Sequence, residues 1–116
     1  MTKDEMRQIV MFFPGVEEGM SYGSPAYKVR GKFFTRLRKD DNSLVLLDIP
    51  HDERDMLMEA APETFHTTPH YKDYPSVLAR IETLHPGSLK NFLERRWKGL
   101  VTRKQAKEYD EAKNAA

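Results

Sequence analysis

The chain has 116 residues, 19 Lys plus Arg against 18 Asp plus Glu, a net charge of +1 and no cysteine. That length makes one domain with a core of its own, and the missing thiols exclude a disulfide framework and thiolate catalysis. No run approaches the ~20 apolar residues of a membrane-spanning helix, and the charged start Met1–Arg7 has no apolar stretch behind it, so a cytoplasmic protein with no membrane association is expected.

Thr2 and Glu5 stand at capping-box spacing, and Met6, Ile9, Val10 and Phe13 form an apolar stripe, so a helix is expected from Thr2 to about Met11, ended by Pro14-Gly15. A period of two follows. Tyr27, Val29, Phe33, Thr35 and Leu37 share one face if Arg30-Gly31-Lys32 is a hairpin loop, which leaves Lys28, Phe34, Arg36 and Arg38 on the other. Lys39–Ser43 is a turn by composition, and the apolar run Leu44–Ile49 is an interior strand. A second helix is expected over Asp52–Ala61, capped by Asp52, stopped by Pro62 and apolar at Met56, Leu57, Ala60 and Ala61. Short strands at Thr64–Thr67 and Ser76–Ile81 flank the segment Pro69–Pro75. The third helix starts near Pro86 and buries Leu89, Phe92, Leu93, Trp97, Leu100 and Val101. Past Thr102 the apolar pattern fades. The expectation is an α+β domain over 1–102, with two layers, an antiparallel β-sheet packed by helices on one side, and the order α-β-β-β-α-β-β-α; 103–116 is a polar helical tail that frays.

Chemistry-bearing patterns are scarce. His66 and His70 are four apart but straddle a strand end and a proline, and His51 and His85 sit at helix starts, so no zinc site is expected. No serine lies in a GxSxG context, and the glycines are too scattered to cradle a phosphate. No catalytic residue, metal or cofactor is assigned. Charge is more informative. Ala26–Lys39 (AYKVRGKFFTRLRK) carries six basic residues and no acid, and Lys90–Lys107 carries seven against Glu94 alone. Segregated charge of this kind can build a local positive field even when the sum is near zero.

The strings Pro14-Gly15-Val16-Glu17-Glu18, Ser21-Tyr22-Gly23-Ser24-Pro25-Ala26-Tyr27-Lys28-Val29, Gly31-Lys32-Phe33-Phe34, Leu37, Thr68-Pro69-His70-Tyr71 and Tyr74-Pro75 together resemble the MmcQ/YjbR family of small bacterial proteins. The resemblance covers nearly the whole chain. It implies a compact α+β fold with an antiparallel sheet packed by helices, and members commonly labelled DNA-binding; it assigns no catalytic residues. Many relatives carry Lys-x-His-Trp in the loop after the fourth strand, where this chain reads Tyr71-Lys72-Asp73-Tyr74-Pro75-Ser76.

The expected function is therefore non-enzymatic binding of double-stranded DNA with little sequence preference. Phosphate contacts would come from Lys28, Arg30, Lys32, Arg36 and Arg38, joined by Arg95, Arg96 and Lys98. Phe34, Tyr71 and Tyr74 would offer stacking surface. The alternative is a protein-interaction module, since the family's fold resembles that of secretion chaperones, which hold a partner on a sheet and helix surface.

Overall fold

The computed structural model describes residues 1–115. Helix α1 spans Lys3–Met11, and its capping box forms: the Thr2 hydroxyl accepts from the Glu5 amide (3.1 Å) and the Glu5 carboxylate accepts from the Thr2 amide (3.2 Å). Met6 and Val10 face the core, with Phe13 buried just beyond the helix.

Three antiparallel strands follow in a meander, β1 (Val16–Ser21), β2 (Ser24–Val29) and β3 (Lys32–Arg36). The two-residue turns Tyr22-Gly23 and Arg30-Gly31 have positive φ at all four positions, +52, +77, +53 and +74°. This is the type I′ geometry whose twist matches that of the strands it joins. Strand β1 was not expected. Its residues are exposed or half-buried, so it carries no alternating apolar signal and is held as an edge strand by backbone pairing to β2.

A second three-stranded sheet has the order β4-β6-β5, with β4 at Ser43–Leu47, β5 at Phe65–His66 and β6 at Ser76–Arg80. The two sheets meet at a narrow seam. One isolated bridge pairs Leu37 with Leu44, the Arg38 amide donates to the Ser43 carbonyl (2.7 Å), and the buried Thr35 hydroxyl donates to the Val45 carbonyl (2.8 Å). Side chains of β4 alternate. Leu44 and Leu46 enter the main core, while Val45 and Leu47 face the loop that carries His70, Tyr71 and Tyr74.

Helix α2 is His51–Ala60, with Pro50 rather than Asp52 at its N-cap; the Asp52 carboxylate accepts only from the Glu53 amide (3.0 Å). Met56 and Ala60, expected on its apolar side, are exposed; Leu57, Met58 and Ala61 pack on the core instead. Helix α3, Pro86–Leu100, has its proline at the first turn and buries Leu89, Leu93, Trp97 and Leu100, while Phe92 and Val101 of the expected stripe are half-buried. The Trp97 indole N–H donates to the Pro14 carbonyl (2.9 Å), which pins α3 to the end of α1.

The expected helical tail is helix α4, Arg103–Ala115, and it docks on α3; residue 116 of that tail lies outside the described residues. Thr102 and Gln105 form a reciprocal cap, amide to side chain in both directions (3.0 and 3.1 Å). Tyr109 is buried against Trp97 and Phe13, at ring-centroid distances of 4.8 and 6.1 Å, and its hydroxyl donates to Glu94 (2.8 Å). Lys98–Asp110 (2.9 Å) and Lys113–Glu94 (3.1 Å) complete the docking. The α+β class with antiparallel pairing holds; the element order gains a strand before the hairpin and a helix at the end. Among the described residues, no helix is long and apolar enough to cross a membrane.

Candidate nucleic-acid interface

The register of β2 on β3 decides which side chains the basic hairpin displays. Tyr27 pairs with Thr35 and Lys28 with Phe33, so Phe34 is an extra residue in a β-bulge. The bulge inverts the two phenylalanines relative to simple alternation. Phe34, expected on the basic face, is fully buried and packs edge-on against Phe13 (5.8 Å), and Phe33 takes the outer face beside Lys28 and Arg36. Phe34 therefore offers no stacking surface.

Several expected phosphate contacts are engaged elsewhere. Arg30 donates to the Leu100 carbonyl at the end of α3 (3.1 Å). Arg38 is paired with Asp41 at 2.8 Å and lies 3.8 Å from Asp40. Arg95 makes a two-pronged pair with Glu53 (2.8 and 3.1 Å). Arg96 donates twice to the Phe33 carbonyl at the bulge (2.7 and 3.2 Å) and once to Asp48 (3.0 Å). Lys98 bonds Asp110 on one side and lies 3.7 Å from Glu94 on the other. The basic face of α3 is thus internal wiring that ties the helix to the bulge, to α2 and to α4. Among the described residues, Lys28, Lys32, Arg36 and Lys39 have no acidic side chain within ion-pair distance, although Glu17 on β1 stands opposite Lys28 in the register. Lys32 pairs with Val29 at the hairpin end, on the opposite side of the sheet from Lys28.

A cleft of about 300 Å³ opens beside Arg36. One wall is the tip of the β1–β2 turn and β3, with Tyr22, Ser24, Arg36, Arg38 and Lys39; the other is the loop residues Thr68, His70 and Tyr71, with Asp40 at the rim. The Arg36 guanidinium lies over the Tyr22 ring (5.5 Å to its centroid) and donates to the Tyr71 hydroxyl (3.3 Å). The His70 ring sits edge-on to Tyr71 at 4.7 Å. Tyr74, by contrast, is exposed above β4 and does not line this cleft.

The loop is held from beneath. Buried Arg54 of α2 donates to the Lys72 carbonyl (2.7 Å), the Ile49 amide to the Pro75 carbonyl (3.0 Å), and the buried Ser76 hydroxyl to the Tyr71 carbonyl (3.3 Å). A charged residue mid-helix reads as solvated, so Arg54 could not be singled out from its neighbours. Tyr22 stood out in the sequence only as part of the Ser21–Val29 string; its place in the cleft follows from the positive-φ hairpin that the Tyr22-Gly23 pair encodes.

The histidines go separate ways. His66 shares a hydrogen bond with Ser43 (2.8 Å) and lies 3.5 Å from Asp41; burial and the nearby Arg80 hold its pKa below the ordinary value. Among the described residues, no group of three or more His, Asp and Glu is placed to hold a metal ion.

Two strings more than forty positions apart, Ser21–Pro25 and Thr68–Tyr71, thus form opposite walls of one cleft. Residues 11–99 match the family model described as YjbR. The chain belongs to the YjbR family. No curated protein and no solved structure matches it. Within this YjbR chain, the matched span contains both walls of the cleft and all of α3 except Leu100, and it stops short of α4.

Proposed function

We propose that the chain binds nucleic acid without catalysis, gripping the phosphate backbone of double-stranded DNA with little sequence preference. The observation that carries this reading is the grouping of Lys28, Arg36 and Lys39, cations without an ion-pair partner among the described residues, along the outer face of β2–β3 and the adjoining cleft. A guanidinium with free donors can bridge two phosphate oxygens, and an unpaired lysine adds charge without the cost of breaking an internal pair. The contact set is smaller than the basic residues of the hairpin and α3 suggest, because Arg30, Arg38, Arg95, Arg96 and Lys98 have partners of their own.

The test is a salt titration. Each neutralised phosphate contributes about −0.9 to the slope of log K against log salt, so two or three contacts give roughly −2 to −3. Arg36→Ala with Lys39→Ala should flatten the slope by about two contacts' worth on unrelated duplexes, with circular dichroism confirming the fold. Arg95→Ala should leave the slope where it is. Absence of wild-type binding at ~50 mM salt, where the electrostatic contribution is strong, overturns the reading. The second reading, an adaptor that holds a protein partner, then takes first place. It draws on a groove of about 610 Å³ lined by Phe12, Pro14, Trp97, Tyr109 and Ala112, in which Phe12 is more than half exposed.

A further inference from the structure

We propose that the cleft beside Arg36 takes a single unpaired nucleotide, with its base on the Tyr22 ring and its phosphate on Arg36 and Lys39. This rests on the nucleic-acid reading and sharpens it: the preferred ligand is a strand end or gap rather than an uninterrupted duplex.

Three observations converge. First, Tyr22 is 90% exposed and has a φ of +52°, a conformation that asparagine or glycine adopts far more readily. An aromatic ring kept in water on a strained backbone gains nothing for the fold in proportion to its cost, and strain of this sort gathers at ligand clamps. Second, one face of that ring already holds the Arg36 guanidinium, and Arg36 is also tied to the Tyr71 hydroxyl. The cation is thus fixed between two tyrosines before any ligand arrives, which lowers the ordering cost of binding. Third, the space is about 300 Å³, at the lower end of small-ligand sites. Stacked bases inside a duplex show only their phosphates and edges, so an intact duplex cannot use the Tyr22 ring. An unpaired base can, because every base has a π-face. Asp40 stands on the same rim, and Arg38 is shared with Asp41 and Asp40, so the site's positive charge is modest and suits one phosphate.

The experiment compares a blunt duplex, the same duplex with a short single-stranded overhang, and adenosine monophosphate as free ligand, at one salt concentration. Wild type should favour the overhang by about 5- to 150-fold, the range that stacking one base on one aromatic ring provides. Tyr22→Asn, which suits the turn, should bring the overhang down to the affinity of the blunt duplex. Equal wild-type affinities for the two DNAs, or a preference that survives Tyr22→Asn, overturns the inference while leaving the duplex reading in place. Binding of adenosine monophosphate that depends on Tyr22, with neither DNA bound, supports the cleft with a free nucleotide as its ligand and defeats the duplex reading. No binding of any of the three defeats both.

Discussion

A single inserted residue sets the chemistry of the exposed sheet. With Phe34 in the bulge, its ring fills space beside Phe13 and its neighbour's carbonyl is left to accept from Arg96. The two adjacent phenylalanines should then respond oppositely to truncation. Phe34→Ala should cost ~3–5 kcal/mol, the usual range for emptying a buried large aromatic. Phe33→Ala, on the outer face, should cost far less. Urea midpoints of the two variants check this, and equal losses would contradict the bulge. Alternation alone could not reveal the inversion, because period two assumes an unbroken register, and the extra residue exchanges Phe33 and Phe34 while Thr35 and Leu37 stay buried as alternation expects. Upstream of the bulge the same pattern reads correctly: Tyr27 and Val29 are buried and Lys28 is exposed.

Helix α4 shows how an element with little apolar content can still dock. Tyr109 is its one buried residue among those described, and most of its other attachments are charged. The Glu94–Tyr109 contact makes that docking sensitive to pH at both ends. Burial opposes the charge on Glu94, but hydrogen bonds from Tyr109 and Lys113 hold its pKa below the ordinary 4.5. Burial, reinforced by Glu94, pushes Tyr109 up to about 12. A lowered carboxyl pKa stabilises the fold above its unfolded value and loses that contribution as pH falls through its folded value. A raised phenol pKa does the reverse, contributing below the unfolded value of 10 and fading as pH climbs toward about 12. Thermal midpoints of wild type should therefore fall on both sides of this window, and Glu94→Gln should shrink the acid-side fall. An unchanged acid limb would show that other carboxylates carry it. The helix itself was legible as helix formers after Thr102, and α3 as a buried stripe; the docking was not, because partners of a polar face leave no periodicity to read.

At the scale of the whole molecule, two small sheets share one core and meet directly only along the seam at Leu37 and Leu44. The class and antiparallel pairing could be read from the alternation of strand and helix patterns. The division into two sheets could not, since it depends on where the ladder stops rather than on which residues are apolar. Thr35 does at this seam what a backbone amide does within a sheet. Thr35→Val keeps the shape and leaves the buried Val45 carbonyl without its donor, a loss of ~1–3 kcal/mol. Amide hydrogen exchange should quicken at Arg38, whose N–H crosses the same seam, more than at residues inside β2 or β6. Uniform acceleration would mean the seam has no stability of its own.

The cleft straddles this line. Tyr22 and Arg36 belong to the first sheet, and Tyr71 rides on a loop laid over the second. The Arg36–Tyr71 hydrogen bond is therefore a clasp between two panels, closing across the cleft that lies between them. The nucleotide proposed for this cleft would touch both panels at once and act as a splint, tightening a joint that the backbone stitches at few points.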